Sequence, residues 1–475
     1  MTISAIWRVT MSENGRSGRQ QSGYIKIEAI VNKLKNNMSP PQLILGVFFV
    51  LIWIGALLLA LPVASATGQS VGLLDAVFTA TSAVCVNGLI VVDTGSVYSI
   101  FGQVIIMVLI QIGGLGFMTF GIMVAIVLGK KIGLKQRLVL QQTTQSTSVQ
   151  GLVKLSLYMV VIAFAFEAIA TIILTLRWKA ELGWGQGAYY ALFHSISAFN
   201  NAGFALWSDS LTPFVGDPIV NITIIILFVI GGLGYIVIVD IFRKRTWKKL
   251  SLHTKVVLLA SGILSLMGFL FLYLLESWNP ATFGQLTWGE RILAALFQGT
   301  TPRSAGFNTV DIGSMLAASQ FFIIILMFIG AASGGTGGGI KTNTFVVLIL
   351  ATINTFQGGG QIHAFERKIA EDTVMRALAV VVSSLLCVLT VALLLTISEG
   401  ILEDRFFEIL FEATSAFSTT GLSMGLTSEL SPLGKVIVSI TMFAGRLGPL
   451  TLAFALAQKK RSSRIGYPED HILIG

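Results

Sequence analysis

The sequence predicts an all-α polytopic membrane protein with four helix–pore loop–helix repeats arranged with fourfold pseudosymmetry around one central pore. Three observations predict it: the composition, eight apolar runs that occur in pairs, and one short motif that recurs four times. Hydrophobic residues make up 54% of the 475 residues, charged residues make up 12%, and the mean hydropathy is +0.81. Because a soluble domain typically carries about 25% charged residues, we expect most of the chain to lie in a bilayer.

The recurring motif, called here the first to fourth stretch, organises the chain. Its copies are FTATSAVCVNGL (Phe78–Leu89), FHSISAFNNAGF (Phe193–Phe204), LFQGTTPRSAGF (Leu296–Phe307) and FEATSAFSTTGL (Phe411–Leu422). Each begins with a large apolar residue, has Ser or Thr four places on, and carries Gly ten places on. Recurrence indicates a repeat architecture. The stretches are too short to span a membrane and too apolar for ordinary loops, which predicts re-entrant segments.

Eight apolar runs flank these stretches, and a spanning helix needs about 20 residues. The expected spans are 43–63, 103–128, 153–176, 219–242, 256–275, 319–351, 377–398 and 434–457. We therefore divide the chain into an N-terminal segment (1–41), repeat 1 (42–128), a linker with repeat 2 (129–242), a linker with repeat 3 (243–351), a linker with repeat 4 (352–458) and a C-terminal tail (459–475). The N-terminal segment could lie on the membrane surface or form a mobile cytoplasmic tail.

The basic residues predict the orientation. Lys and Arg cluster between the repeats and in the tail, whereas residues 65–101 contain neither. The positive-inside rule then places both termini in the cytoplasm and lets the re-entrant stretches enter from outside. Because the basic residues are dispersed among apolar runs, the net charge of +9 does not indicate a nucleic-acid partner. Acidic residues near the fourth stretch either form a negative vestibule that concentrates cations or are ordinary solvated charges: Glu399, Glu403, Asp404, Glu408 and Glu412.

The stretches have the features of an ion selectivity filter. Non-helical backbone at membrane depth is tolerated only where protein buries it or where it lines a wet cavity. Glycine permits positive φ, so backbone carbonyls can turn inward and replace the hydration shell of an alkali cation. The predicted filter residues are Val86, Asn87, Gly88, Asn201, Ala202, Gly203, Ser304, Ala305, Gly306, Thr419, Thr420 and Gly421. They include no ring of carboxylates and no ring of cations, which argues against calcium and anion filters, with Arg303 as one exception.

A glycine-rich segment, GAASGGTGGGIKT (Gly330–Thr342), interrupts the span 319–351. Each glycine inside a helix costs about 1 kcal/mol relative to alanine, so we expect a break and a loop that could block the pore and swing aside. The predicted gate residues are Gly330, Ser333, Gly334, Gly335, Thr336, Gly337, Gly338, Gly339, Lys341 and, on the last span, Arg446. A nucleotide-binding phosphate loop is disfavoured because Ile340 stands where that motif requires glycine and because the segment joins two apolar runs.

Three charged residues, Arg446 among them, lie in apolar runs, where charge is costly and suggests function. Arg446 is expected either to face the pore below the filter, contact the glycine-rich segment and act as a positive barrier, or to pack against backbone carbonyls. Glu167 could couple a second ion or could join helices. Asp240 is expected to pair with Arg243 or Lys244.

The motifs TATSAVCVNGL, FHSISAFNNAGF, TPRSAGFN, TSAFSTTGL and GRLGPLT (Gly445–Thr451) resemble those of the membrane, ion-translocating subunit of the Trk/Ktr/HKT potassium transporter superfamily, most closely the bacterial KtrB-type subunit. The resemblance covers about residues 42–475. It implies a K⁺-selective pore with an intramembrane gating loop, a homodimer, and an octameric cytoplasmic ring of regulatory RCK subunits that binds ATP or ADP. It implies no covalently bound cofactor on this chain.

The four filter glycines resemble the K⁺-selective members of this superfamily, since serine at one of them goes with Na⁺ permeation. Two positions depart from the pattern: Asn87 stands where Thr or Ser is common, and Pro302 fixes φ before the third glycine. We therefore expect K⁺ uptake through a pore in a bacterial cell membrane, and whether Na⁺ activates it stays open. The alternatives are a Na⁺- or H⁺-coupled K⁺ symporter and a membrane enzyme, the latter disfavoured because no catalytic constellation is evident.

Overall fold

The computed structural model describes residues 40–116, 152–400 and 405–448. The helices of these ranges are α1 (Pro40–Leu59), α2 (Leu73–Cys85), α3 (Thr94–Val97), α4 (Ile100–Leu115), α5 (Leu152–Phe199), α6 (Pro218–Leu233), α7 (Tyr235–Lys244), α8 (Leu252–Glu276), α9 (Trp288–Thr300), α10 (Ala317–Phe328), α11 (Thr342–Phe356), α12 (Glu371–Glu399), α13 (Phe406–Ser418), α14 (Leu426–Glu429) and α15 (Pro432–Leu447). Single 3₁₀ turns occur at Pro62–Ala64, Thr212–Phe214, Trp247–Lys249 and Phe283–Gln285.

Several expectations fall outside the described residues: the N-terminal segment, the second half of span 103–128, Glu403 and Asp404, the chain beyond Gly448 and the C-terminal tail. One small hairpin departs from the all-helical prediction. Its strands β1 (His363–Ala364) and β2 (Arg367–Lys368) are antiparallel, with His363 opposite Lys368 and Ala364 opposite Arg367.

Within the described ranges, four helices are long and apolar enough to cross a membrane, over Gln42–Leu59, Ser156–Phe199, Leu252–Glu276 and Glu371–Glu399. Their outer faces carry exposed aliphatic side chains, as on α12 with Leu386 (59% exposed) and Leu393 (60%). A soluble protein would bury such a row, whereas a bilayer accommodates it. The predicted all-helical, multi-pass membrane class is therefore confirmed.

Each long helix is followed by a short apolar helix that ends within one of the four stretches. These short helices are α2, the part of α5 beyond a break at Gly183, α9 and α13. At Gly183, φ is 76° and ψ is 172°, so the chain leaves helical geometry and the helix is kinked. The large apolar residue near the start of each stretch is fully buried and fixes the short helix in the core: Phe78, Phe193, Phe297 and Phe411.

The helices that follow the stretches end early, which corrects the predicted span 219–242, whereas the part of span 434–457 beyond Gly448 lies outside the described residues. The span 219–242 divides into α6 and α7, which meet at 93° across Gly234. The helix of span 434–457 ends at Leu447. Gly116, Gly234 and Gly448 follow Leu115, Leu233 and Leu447 with nearly the same conformation, at φ/ψ of 79°/131°, 89°/140° and 78°/147°. This positive φ with extended ψ suits glycine and stops the helix. The predicted break in span 319–351 is observed between α10 and α11.

Candidate ion pathway

The four glycines of the stretches meet around one small space. Their φ angles are 98° at Gly88, 69° at Gly203, 80° at Gly306 and 87° at Gly421. A Cβ added to Gly203 would lie 2.9 Å from the Cα of Gly306, and one added to Gly421 would lie 2.9 Å from the Cα of Gly88. An added Cβ at each glycine would also meet the carbonyl of the middle residue of the next stretch, in the order Ala202, Ala305, Thr420 and Asn87. The ring closes from the fourth stretch back to the first, and backbone lines it.

A second left-handed residue lies two places before each glycine. These residues are Val86, Asn201, Ser304 and Thr419, with φ of 55°, 60°, 70° and 47°. Such a φ is uncommon outside glycine, above all for β-branched side chains, and costs about 1–3 kcal/mol per residue. Because the sign of φ alternates in the same way in all four stretches, the strain belongs to a shared backbone shape.

Three of the short helices end in the same hydrogen-bonded turn. In the first stretch, Val86 N donates to Ala83 O at 3.2 Å and Asn87 N donates to Ser82 O at 2.8 Å. The second and fourth stretches repeat both bonds, at 3.1 and 2.8 Å and at 3.3 and 3.0 Å. This pair is the Schellman arrangement, which requires a left-handed residue just past the helix. The sequence gives no sign of this requirement, because none of the left-handed positions holds glycine.

The third stretch ends differently, where Pro302 supplies no N–H donor. Ala305 N donates to Thr301 O at 2.9 Å, and the Thr301 hydroxyl donates to Phe307 O at 2.7 Å. Ser304 and Gly306 nevertheless keep positive φ at the equivalent positions. The change around Pro302 is therefore absorbed before the chain reaches the glycine.

Side chains tie neighbouring stretches together. Asn87 Nδ2 donates to Ala416 O at 3.0 Å, and its Oδ1 accepts from Leu89 N at 3.2 Å. Asn87 therefore braces the first stretch against the end of α13. On the next side of the ring, Ser304 Oγ donates to a backbone carbonyl of α13 at 3.2 Å. These hydrogen bonds stabilise the ring by joining neighbouring stretches, and backbone atoms form its inner surface.

A cavity of about 520 Å³, called here the vestibule, lies directly against the ring. The four glycines line it together with Asp93, Asp209 and Asp311. These aspartates follow the first three glycines by five, six and five residues, a regularity in the sequence that was not recognised. Three carboxylates at one opening make it attractive to cations. Over the described ranges, no group of three or more His, Cys, Asp or Glu side chains is placed to hold a metal ion.

The acidic residues predicted near the fourth stretch have other roles. Glu399 accepts bonds from Ser431 N at 2.9 Å and from Ser431 Oγ at 2.8 Å, and so caps α15. Glu408 pairs with Arg405 at 2.7 Å. Glu412 is fully buried. All three side chains are therefore bound by protein groups and are not freely solvated surface charges.

The glycine-rich loop (329–341) packs against the ring from the side of the helix breaks. A Cβ on Gly337 would lie 2.7 Å from Ser304 Cβ, and one on Gly338 would lie 2.9 Å from Thr419 Cγ2. Ser304 and Thr419 are predicted filter residues, so the glycines allow the loop to touch the ring without intervening side chains. This contact brings the two predicted sets of functional residues together.

The loop is also fixed to the break between α6 and α7. Thr336 N donates to Gly231 O at 3.1 Å, and the Thr336 hydroxyl donates to Phe199 O at 3.4 Å. Tyr235 N donates to Gly334 O at 3.2 Å. At its far end, the loop is closed by Thr342 Oγ1, which donates to Gly330 O at 2.8 Å. Ser333, Gly335 and Gly339 lie within the same docked segment, and Gly335 would place a Cβ 2.6 Å from Gly232 O.

Arg446 joins the loop to a helix on the opposite side. Its guanidinium donates to Thr336 O in the loop and to Gly113 O on α4. Arg446 therefore makes both of the contacts expected for it: its side chain binds backbone carbonyls, and one of these carbonyls belongs to the loop. Lys341 Nζ donates to Gly337 O at 2.6 Å and braces the loop internally.

The remaining intramembrane charges are held by local partners. Glu167 accepts from Gln111 Nε2 at 3.1 Å and from Asn200 Nδ2 at 3.2 Å, as a carboxylate that joins helices would. Arg303 donates to Ser261 O on α8 at 3.3 Å and so is held against that helix. The pairing expected for Asp240 is confirmed, since Lys244 Nζ lies 2.7 Å from its Oδ1.

Comparison with known proteins defines the class. The TrkH family pattern, described as a cation transport protein, matches residues 37–465. A Ktr system potassium uptake protein B from Bacillus subtilis is 45% identical over 437 residues, which cover 92% of this chain and 97% of that protein. The potassium/sodium uptake protein NtpJ from Enterococcus hirae is 38% identical over 447 residues, covering 93% of this chain and 99% of that protein.

A solved structure agrees in fold. The crystal structure of the potassium transporter TrkH from Vibrio parahaemolyticus matches with a TM-score of 0.67 and 18% identity, covering 86% of this chain and 84% of that one. The chain belongs to the TrkH family of cation transport proteins. It is thus a membrane transporter and not an enzyme, and the resemblance recognised in the motifs is confirmed.

Proposed function

We propose that the chain takes up potassium ions through a K⁺-selective pore with fourfold pseudosymmetry, formed by the four stretches. The observation that carries this proposal is the closed ring of Gly88, Gly203, Gly306 and Gly421, in which each backbone touches the next. Carbonyl oxygens around such a ring replace the hydration shell of an alkali cation. The names of two relatives support K⁺ as the substrate: the one from Bacillus is a potassium uptake protein, and the one from Enterococcus is a potassium/sodium uptake protein.

The filter consists of the three consecutive residues of each stretch that end in glycine, from Val86–Gly88 to Thr419–Gly421. Alternation of left-handed and ordinary residues orients the carbonyls, and the absence of Cβ atoms keeps the axis open. K⁺ enters from the vestibule, exchanges its hydration water for the carbonyl oxygens of the filter, and leaves toward the cytoplasm. A membrane potential of 100 mV drives each charge with about 2.3 kcal/mol.

The glycine-rich loop is the gate. In the docked arrangement it covers the inner side of the filter, because Gly337 and Gly338 contact Ser304 and Thr419. Opening must break the bonds of Arg446 and Thr336 to surrounding backbone. A charge-assisted hydrogen bond contributes about 1.5–3 kcal/mol, so a few such bonds suffice to keep the pore closed until another force moves the loop.

That force comes from partner subunits. The relative from Bacillus is named as part of a Ktr system. We infer a homodimer of pores in a bacterial cell membrane, with both termini in the cytoplasm and with an octameric ring of RCK-type subunits beneath. ATP or ADP binds to the ring and not to this chain.

The decisive experiment is cation flux into liposomes that contain the purified chain. Wild type should pass K⁺ in preference to Na⁺, and Gly88→Ser should admit Na⁺, because its side chain would enter the ring, where an added Cβ alone would lie 2.6 Å from Ala202 O. Gly289→Ser is the control, since a Cβ at Gly289 meets no described atom. Equal K⁺ and Na⁺ flux in wild type, or a variant indistinguishable from the control, would contradict the filter. If neither ion passes, nucleotide-loaded ring subunits are added, and continued silence would reject the pore.

The second candidate is a Na⁺- or H⁺-coupled K⁺ symporter, favoured by the carboxylate of Glu167 buried among the helices. A Na⁺ or pH gradient would then accumulate K⁺ in liposomes clamped at zero potential, with a fixed stoichiometry. Glu167→Gln should abolish this accumulation and leave downhill K⁺ flux intact. A pore accumulates no K⁺ under these conditions.

A further inference from the structure

The second residue of each stretch links the short helix to the chain that leaves the ring. Thr79 Oγ1 accepts a bond from the Tyr98 hydroxyl at 3.1 Å, and His194 Nε2 accepts a bond from Leu206 N at 3.2 Å. In the third stretch this position is the apolar Phe297. The second residue is therefore not a carboxylic acid in the first three stretches, and the fourth stretch differs because its second residue is Glu412.

Glu412 is buried without a cationic protein partner. Its exposure is 0%, and across the residues that the structure describes, no Lys, Arg or His side chain forms an ion pair with it. Its hydrogen bonds come from two hydroxyl groups: Ser423 Oγ donates to Oε2 at 2.9 Å, and Thr427 Oγ1 donates to Oε1. A buried carboxylate is costly unless it is paired or coordinates a cation. Two neutral donors hydrogen-bond the carboxyl group but supply no positive charge to balance an ionised form.

Both hydroxyl residues line the vestibule, beside Gly421 of the ring. A hydroxyl that donates its proton to a carboxylate still has lone pairs to offer. In Ser423 one lone pair accepts from Gly425 N at 3.0 Å, and the hydroxyl oxygens of Ser423 and Thr427 are 3.0 Å apart. Two residues with polarised hydroxyl groups, both bonded to a buried carboxyl group, thus line a cavity that leads to the filter.

We propose that Glu412, Ser423 and Thr427 form a binding site for a single alkali cation in the vestibule wall, one step outside the filter. One carboxylate and two hydroxyls suit a monovalent ion better than Ca²⁺, which takes 6–8 oxygen ligands and usually several carboxylates. The site also supplies the negative charge of the fourth quadrant, where Thr427 follows Gly421 by six residues and takes the place of the aspartates near the other glycines. The occupant is K⁺ waiting to enter the pore or Na⁺ that promotes uptake.

This inference rests on the proposed K⁺ uptake, and it is tested in the same liposomes by titrating external ions. One arm varies K⁺ without Na⁺, and the other varies Na⁺ at fixed K⁺. Glu412→Gln should raise the half-saturating concentration of the occupant about tenfold and leave the maximal rate and the K⁺/Na⁺ preference within twofold of wild type. A shift in the K⁺ arm assigns K⁺, and a shift in the Na⁺ arm assigns Na⁺.

Ser423→Ala and Thr427→Val separate coordination from distant charge, because they keep the carboxylate and remove one oxygen ligand each. Both should shift the same arm severalfold, and they decide the question if Glu412→Gln does not fold. The matched control is Glu276→Gln, an equally buried carboxylate bound by Asn279, Thr282 and Leu316 N.

No shift in either arm for any site variant would overturn the site. A shift confined to Glu412→Gln that disappears in high concentrations of an impermeant salt would also overturn it, since the carboxylate would then act only through its field. Failure of these tests with normal selective flux in wild type leaves the proposed pore intact. Loss of selectivity in wild type would instead contradict the pore itself.

Discussion

The ring of glycines and the level of the helix breaks are built on different rules, although the same four segments of chain form both. At the ring, all four segments have a left-handed residue and, two places on, a glycine with φ between 69° and 98°. At the breaks, only three segments agree, at Gly116, Gly234 and Gly448. The remaining segment has the glycine-rich loop instead.

This difference follows from the tasks that we assign to the two levels. An ion on the axis needs similar ligands on every side, so each segment must keep the same backbone shape. A gate needs one moving part and fixed surfaces for it to close against. Three segments therefore provide rigid helix ends, and one segment provides the moving loop.

The largest expected effect comes from breaking the symmetry of the ring. In Gly203→Ala, a methyl group would lie 2.9 Å from the Cα of Gly306, and the residue would also keep an unfavourable φ of 69°. Strain of about 1–3 kcal/mol should lower K⁺ flux by about 5- to 150-fold, since 1.4 kcal/mol corresponds to a factor of ten. Flux into liposomes measures it. Gly262→Ala, where a Cβ meets no described atom, is the control. Equal flux in the two variants would show that the ring tolerates side chains.

A smaller effect should follow from releasing the loop from the fixed surfaces. Arg446→Gln removes a charge-assisted bond to the Thr336 or Gly113 carbonyl, worth about 1.5 kcal/mol or more. We expect about tenfold more K⁺ leak in the absence of regulatory subunits, with selectivity retained. Arg446→Lys separates the two roles of the side chain, because it keeps the charge but cannot hold both carbonyls. Leak in both variants assigns a tether, whereas leak in the Gln variant alone assigns a positive barrier, and tight closure in both would exclude either role.

Sequence reasoning located the ring because its signal is local and repeated. Four glycines at one spacing, each between apolar runs, required no knowledge of three-dimensional contacts. It missed the left-handed residues beside them, since Val86 and Thr419 belong to types that avoid positive φ and only the surrounding contacts impose it. The break at Gly234 was also missed, because the sequence IGGLGY reads equally well as the small-residue face of a straight helix.

Charged positions show the same limit. The pairing of Asp240 with Lys244 was predicted because the two residues lie one helical turn apart. The aspartates of the vestibule were not, because each is separated from the others by about a hundred residues and they meet only after the stretches have assembled. Glu412 was predicted to belong either to a negative vestibule or to ordinary solvated charge, and only its burial and its two hydroxyl partners separate it from the surface charges.

The three similar helix breaks differ in their contact with the glycine-rich loop. Gly234 and Gly448 have nearly equal backbone angles, but a Cβ at Gly234 would lie 2.8 Å from Ser333 O of the loop, whereas one at Gly448 meets no described atom. Both alanine variants should lose about 1–3 kcal/mol of stability, because positive φ with extended ψ is unfavourable for a residue with a Cβ. Only Gly234→Ala should also increase K⁺ leak, by a few fold. Thermal unfolding and flux measure the two effects, and equal leak in both variants would mean that the breaks affect closure without contact to the loop.

The smallest effect should come from the vestibule, where charge acts at a distance. Asp209 lines this cavity, and its side chain accepts a single bond, from Thr212 Oγ1 at 2.6 Å. Asp209→Asn should therefore leave the fold intact and raise the half-saturating external K⁺ by about twofold at low ionic strength, since the local cation concentration falls. Near 0.15 M salt the Debye length is about 8 Å, so the shift should shrink. Glu181→Gln neutralises an exposed acid that pairs with Arg177 away from the cavity and should cause no shift. A shift that persists in high salt would mean that Asp209 binds the ion directly, and then the symmetry of the ring would extend into the vestibule.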